Sequence, residues 1–287
     1  MDTGTLTFYK NNSSQGTAFT SISGTYTPGI SNGGATSGCT VEINFGQRPF
    51  AYTPPSGFLK LNTFNLSDST IEDGSDYFNT VLYTGNSSTQ SITGVGFQPD
   101  LVWAKDRGAT VHHTWNDAVR GVNLDLFSSS TSLESNDTNG LTAFNADGYS
   151  LGSSTNHNVS AHTYVGWNWK ANGSGSSNTD GSITSTVSAN TTAGFSIVSY
   201  TGSGSTSTVG HGLGVAPNVI IWKGRNYSVN WAVYHSSIGE GSKVYLDLTN
   251  VSAADTTYMN NTAPTSTVFS IASNAWTNNS ASATLIA

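Results

Sequence analysis

The sequence predicts an all-β protein made of tandem β-sandwiches of the jelly-roll or concanavalin-like kind. Three observations lead there. Only 9% of residues are Asp, Glu, Lys or Arg, against roughly 25% in ordinary soluble chains, so Ser, Thr, Asn and Gly carry the polarity, a balance that favours strands and turns over helices. Short runs rich in Val, Ile, Tyr and Trp recur between Gly and Pro residues, with no sustained helical period. Finally, one long unit occurs twice.

From the beginning of the chain, TLTFYKN (5–11) and CTVEINFG (39–46) alternate apolar and polar residues, the period of half-buried strands. QRPFAYTPPSGF follows, where Pro49, Pro54 and Pro55 cannot donate to a ladder and predict an extended crossing segment. The repeat then begins. FNTVLYTG (78–85) returns as FSIVSYTG (195–202), and GVGFQPDLVWAKDR (94–107) returns as GLGVAPNVIIWKGR (212–225). Carried further, the correspondence pairs Trp115 with Trp231, LDLFSSS (124–130) with LDLTNVS (246–252), and Phe144 with Phe269. DLVWAK (100–105) and NVIIWK (218–223) read as central strands. Gly94, Gly96, Gly212 and Gly214, with Pro99 and Pro217, mark the tight turns leading into them. In TYVGWNWK (163–170), Val165, Trp167 and Trp169 share one face, and the two tryptophans are read as core.

The resulting organisation is a β segment over 1–66, a first sandwich over 77–172, a flexible Gly/Ser linker over 173–182 and a second sandwich over 183–287. Because SATLIA (282–287) aligns with AHTYVG (161–166), where the first copy continues into Trp167 and Trp169, the second copy is expected to be cut short in its last strand. A stop codon directly after Ala287 in the full gene is the finding that contradicts this.

Composition excludes several function classes. A net charge of -7 and a pI of about 5.1, with no block of Lys or Arg, argue against a nucleic-acid partner gripped through phosphates. No apolar run is long enough for membrane insertion as a helix. The single cysteine, Cys39, excludes an intramolecular disulfide and a cysteine zinc site, and is read as a small core residue. No nucleophile-elbow, zinc-protease or phosphate-loop motif occurs, so neither a cofactor nor an enzyme activity is predicted.

Individual polar residues read as structural. His112 and His113 are adjacent and face opposite sides of a strand, and His157 and His162 are read as structural or solvent-exposed. Asp117 with Arg120, and Asp106 with Arg107, read as surface ion pairs. Asp100, Asp125, Glu134 and Asp147 are scattered among turns rather than paired for glycoside hydrolysis. No metal site is predicted. The nearest candidates are Asp125 and Asp247, placed on an outward face by the leucines that flank them. Trp115, Tyr227 and Trp276 are the candidate binding residues, able to stack on a sugar or anchor a protein partner.

GTLTFYKNNSSQGTAF and VEINFGQRPFAYTPPSGFLKLNT (41–63) resemble the C-terminal half of SPRY-type domains in bacteriophage structural and tail-fibre proteins, without the N-terminal half. GFQPDLVWAKDRG, FNADGYSLG (144–152) and TYVGWNWKANG (163–173) resemble a concanavalin-like module of marine and cyanobacterial phage proteins. These resemblances imply a virion-surface or extracellular tail-fibre or capsid-appendage component, displaying lectin-like modules for host attachment. They imply other virion proteins and a host-surface glycan or protein as partners, a homo-oligomeric assembly, and no catalytic residue. The rival expectations are a capsid-decorating architectural protein, a bacterial surface adhesin and a carbohydrate-active enzyme using Asp125 and Asp247.

Overall fold

A computed structural model describes residues 4–24, 26, 29, 40–58, 69–280 and 283–286; Cys39 lies outside them. The protein is all-β, with no α-helix among the described residues. It divides into two units, Met1–Ser69 and Thr70–Ala287. Strands are numbered in chain order.

Among the described residues of unit 1 there is one antiparallel hairpin, β1 (Leu6–Lys10) and β2 (Ser13–Phe19). Asn11 and Asn12 turn it, both at positive φ, as tight hairpins require of their central residues. The strand expected over 39–46 does not form in its described part, 40–46. Asn44 explains why: its Oδ1 accepts from the backbone N–H groups of Gly46 and Arg48, and its Nδ2 donates to the carbonyls of Arg48 and Pro49. This side chain offers the backbone a local alternative to a ladder. Phe8, Tyr9, Phe19, Ile43 and Phe45 are exposed.

Unit 2 holds both repeats, each a large sheet facing a small one. In the first repeat the large sheet runs β3 (Phe78–Thr84), β11 (Thr163–Trp169), β5 (Leu101–Asp106), β6 (Thr114–Asp117), β7 (Leu124–Phe127) and β8 (Ser135–Asn136), in that order. The small sheet runs β4 (Gln90–Thr93), β10 (Gly148–Leu151) and β9 (Leu141–Asn145). Val81, Val102, Ala104, Ile92, Leu141 and Tyr149 close the core between them.

In the second repeat the large sheet runs β12 (Ser176–Asn178), β13 (Ser185–Asn190), β14 (Phe195–Thr201), β21 (Ala283–Ile286), β16 (Val219–Gly224), β17 (Ala232–His235), β18 (Ser242–Tyr245) and β19 (Ala253–Ala254). β15 (Ser207–Gly210) and β20 (Val268–Ile271) form its small sheet. Trp222, Tyr200, Tyr258 and Phe269 fill that core. The tract read as a flexible linker supplies β12, hydrogen-bonded along β13.

The two large sheets stack back to back through a third apolar layer: Leu101, Trp115 and Leu126 from one repeat, Ile197 and Trp231 from the other, with Trp103, Trp169, Phe195 and Ile221 packed around them. This layer corrects the face assignment of TYVGWNWK. Tyr164, Gly166 and Asn168 point into the first sandwich and are buried, whereas Trp167 and Trp169 point outward and are half-buried. Trp169 lies against Phe195 of the other repeat, with ring centroids 6.1 Å apart.

Polar contacts lock the stack. Arg120 has no exposed side-chain surface; it donates to Asp117 and Glu134, and Glu134 also accepts a bidentate contact from Arg225 of the second repeat at 2.9 and 3.0 Å. The Asp117–Arg120 pair is therefore buried, contrary to its reading as a surface pair. The Trp231 indole N–H donates to the carbonyls of Phe127 and Ser130, and the Lys223 ammonium to those of Thr131 and Val229.

Candidate functional site

Strand pairing gives an independent alignment of the repeats. Trp103 and Ile221, equivalent in the matched block, face Trp115 and Val233 across the next strand. Those residues in turn face Leu126 and Val244. Trp115 thus corresponds to Val233 rather than Trp231, and Asp125 to Lys243 rather than Asp247. Likewise Phe269 takes the place of Tyr149, not Phe144. β21 sits one residue away from the sequence alignment: Thr284 faces Tyr200 where Tyr164 faces Tyr83.

Both repeats share a buried asparagine pin. Asn158 Oδ1 accepts from the Asn86 N–H, and its Nδ2 donates to the carbonyls of Ser88 and Gly152. Asn278 repeats this with the Ser203 and Gly204 N–H groups and the carbonyls of Ser205 and Ala272. The pinned loop lies so close to the YTG turn that a Cβ on Gly85 or Gly202 would meet the Val159 or Asn279 carbonyl oxygen at 2.1 or 2.3 Å. That contact explains why the glycine stands in both copies.

Beside this pin the repeats diverge. In the first, Asp125, Asp137 and His157 bring ligand-type atoms within 4.8 Å of one another, a set able to hold a cation. The protein's own donors already occupy it: His157 Nε2 lies 3.0 Å from both Asp125 oxygens, Asn116 donates to Asp125, and Ser154 and the Asn139 N–H donate to Asp137. Burial pushes the Asp125 carboxyl up, but the His157 and Asn116 contacts outweigh it and hold the group below the ordinary carboxylate range. Thr114 Oγ1 is 3.4 Å from His157 Nδ1, so hydroxyl, imidazole and carboxylate follow one another in the order of a nucleophilic triad. All three side chains are buried, and neither cavity described below reaches them.

The second repeat replaces Asp125 with Lys243, whose ammonium pairs with Asp255 and lies 3.6 Å from the centre of the Trp276 ring. Asp247 stands elsewhere, accepting from Asn230 Nδ2 and the Trp231 N–H, each at 3.1 Å. The outward placement read for Asp125 fails because the strand is covered on both sides; its side chain has no exposed surface.

The three predicted binding residues lie in different surroundings, and Trp115 lines a cavity of about 470 Å³ together with Trp103, Trp169 and Phe195. Trp115 is 2% exposed and sits in the inter-repeat layer. Trp276 is half-buried beneath Lys243, and the Tyr227 ring covers Gly224. A second, more open groove is lined by Trp167, read as core from the sequence. This groove, of about 750 Å³, is also bounded by Lys105, Arg107, His112, His113 and Ser129. The Lys105 ammonium is held by the carbonyls of Asp106 and Ala109, His112 Nδ1 contacts Ser129 Oγ at 3.1 Å, and Arg107 is exposed. Burial, then the nearby Lys105 charge, lower the His113 pKa. Asp106 is engaged with His162 at 2.6 Å and with two backbone N–H groups. The groove is therefore rich in donors beside an indole. Of its lining, the sequence singled out the adjacent His112 and His113, while Trp167 had the pattern of a core residue.

These features define an all-β protein of two sandwich repeats fused through their large sheets. The chain belongs to the family described as a domain of unknown function, DUF7483, whose model matches residues 73–287 and so takes in both repeats. No curated protein and no solved structure matches it.

Proposed function

We propose that this chain is a non-catalytic structural protein of a virion surface, a tail-fibre or capsid-appendage component that attaches to the host surface, and that the groove beside Trp167 is its point of contact. The observation that carries this reading is the groove itself: an indole next to Arg107, Lys105 and two histidines suits a sugar ring stacked on the aromatic face, with its hydroxyl or carboxylate groups on the donors. The phage resemblance of the sequence supplies the setting. The buried, internally satisfied Thr114–His157–Asp125 chain supports a structural rather than catalytic role for the one triad-like group.

Retention on host cells or their surface glycans tests the reading. Wild-type protein should bind; Arg107→Ala should weaken binding at least tenfold without changing the melting temperature, and Trp167→Ala should weaken it at least tenfold while the protein stays folded. No retention on host cells overturns the proposal. A capsid-decorating role is the second reading, favoured by the exposed Phe8, Tyr9, Phe19 and Phe45 of unit 1, the kind of apolar surface that protein partners cover. Labelled protein found on the capsid lattice rather than at appendage tips selects it.

A further inference from the structure

Lys243, Asp255 and Asn274 form a compact polar group in the second repeat. The Lys243 ammonium donates to Asp255 Oδ2, and Asn274 Nδ2 donates to the same oxygen at 3.3 Å. An amine and a carboxamide therefore converge on one carboxylate atom. Each comes from a different element: Lys243 from β18, Asp255 from the residues just after β19, and Asn274 from the loop that follows β20. Little water reaches them, since the Lys243 side chain is 4% exposed and Asn274 is 8% exposed. The Trp276 ring covers the ammonium, and the Tyr245 ring lies 5.6 Å from it.

The contacts around this group match the parts of an acyl transfer. The Trp276 N–H donates to Asn274 Oδ1 at 2.9 Å, where negative charge develops when a nucleophile adds to the carbonyl carbon. Asp255 touches both nitrogens, so one carboxyl can take a proton from the attacking amine and give one to the leaving amide nitrogen. Thr257 fixes the geometry: its N–H and hydroxyl donate to Asp255 Oδ1 at 2.9 and 2.6 Å, and its Oγ1 accepts from Asn274 Nδ2 at 2.8 Å. The first repeat keeps the carboxylate and lacks both reactants. Asp137 takes the place of Asp255, each accepting at Oδ1 from the N–H two residues on. Asp125 stands for Lys243, and Ser154 stands for Asn274, each of the latter two again accepting from the N–H two residues on.

We propose that Lys243 and Asn274 join in an intramolecular isopeptide bond, formed by the protein itself with Asp255 as the proton-transfer group. The Lys243 ammonium passes a proton to Asp255, which removes two buried charges at once. Nζ then bonds to Asn274 Cγ, and the carbonyl electron pair moves onto Oδ1, held by the Trp276 N–H. As that pair returns, the Cγ–Nδ2 bond breaks: Nδ2 takes the proton from Asp255, the carboxylate takes one from Nζ, and ammonia leaves. An ammonium, a carboxylate and a carboxamide thus give a secondary amide, a protonated Asp255 and ammonia, with no change of oxidation state. The Lys243–Asp255 ion pair, with its pH dependence, belongs to chains in which the bond has not closed. Closure ties β18 to the loop after β20 in a chain whose single cysteine rules out an internal disulfide. The inference is independent of the attachment reading, since none of these residues lines the Trp167 groove.

Mass spectrometry of the folded 287-residue protein tests the proposal. Its mass should fall below that of the sequence by one ammonia. Trypsin should fail to cut after Lys243, so residues 226–287 should be recovered as one peptide carrying the same deficit, and fragmentation should place the link between Lys243 and Asn274. Lys243→Arg and Asp255→Asn should each restore the full mass, and Asp255→Asn should restore cleavage after Lys243. A wild-type protein of full mass that is cut after Lys243 overturns the proposal, and so does a deficit of one water with Lys243 joined to Asp255. Should either variant fail to fold, the wild-type peptide alone decides the matter.

Discussion

The two repeats solve the same packing problem with opposite charges. At one ladder position the first carries Asp125, hydrogen-bonded to His157, and the second carries Lys243, paired with Asp255. The Asn158 and Asn278 pins and the glycines beneath them are held in common. Geometry set by backbone close approach tolerates no substitution, whereas a buried polar group can change sign if its partner changes with it. A second compensated pair follows the same rule. A Cβ on Gly166 would lie 2.5 Å from the Tyr149 hydroxyl, and in the second repeat Phe269, without a hydroxyl, stands at the ladder position of Tyr149.

The largest expected effect comes from breaking what the repeats build jointly. Trp231→Ala removes a buried indole from the inter-repeat layer and its bonds to Phe127 and Ser130, and should cost about 3–5 kcal/mol in denaturant unfolding. Glu134→Gln leaves the buried Arg120 with Asp117 as its one carboxylate and removes the bridge to Arg225, with an expected loss of about 2–3 kcal/mol. Gly166→Ala should cost about 2 kcal/mol by overpacking, and Tyr149→Phe in the same chain should restore most of it. A double-mutant cycle without coupling would show that the Tyr149 hydroxyl is not what keeps residue 166 a glycine.

The smallest effects are electrostatic, and both make stability rise with pH, in two separate windows. Burial raises the Asp255 carboxyl, but the Lys243 contact prevails and holds it at about 2. Its folded pKa is below the unfolded value, so its contribution is complete above about pH 4 and fades as pH falls towards 2. Lys243→Met should flatten that part of the melting-temperature curve. Lys223 is pushed down to about 8 by burial. Between pH 8 and about 10 the unfolded lysine keeps its proton when the folded one has lost it, so stability should rise with pH there, and Lys223→Met should abolish the rise.

Fold class was legible because strand alternation and turn residues are local. The turns at Gly94, Gly96, Gly212 and Gly214 form with positive φ as read, and the matched blocks become β3 with β14 and β5 with β16. Equivalences carried across loops of unequal length failed: LDL (246–248) lies just after β18, so Asp247 missed the position of Asp125. Trp115 and Trp231 were matched as copies of one residue but are partners in contact, their ring centroids 5.2 Å apart. An outward-facing tryptophan buried by a second sheet has the same sequence signature as a core tryptophan, which hid both the inter-repeat layer and the groove at Trp167. The polar cluster was half visible, in Asp125 alone, since Asp137 and His157 reach it through loops.

The central claim is that the two sandwiches form one cooperative body through the Trp115–Trp231 layer and the Glu134 bridge. Native-state hydrogen exchange across a denaturant series tests it most directly. The slowest amides of β5 and β11 and those of β14 and β16 should share one opening free energy and one denaturant slope. Two separate isotherms, with one repeat opening while the other stays closed, would contradict the account.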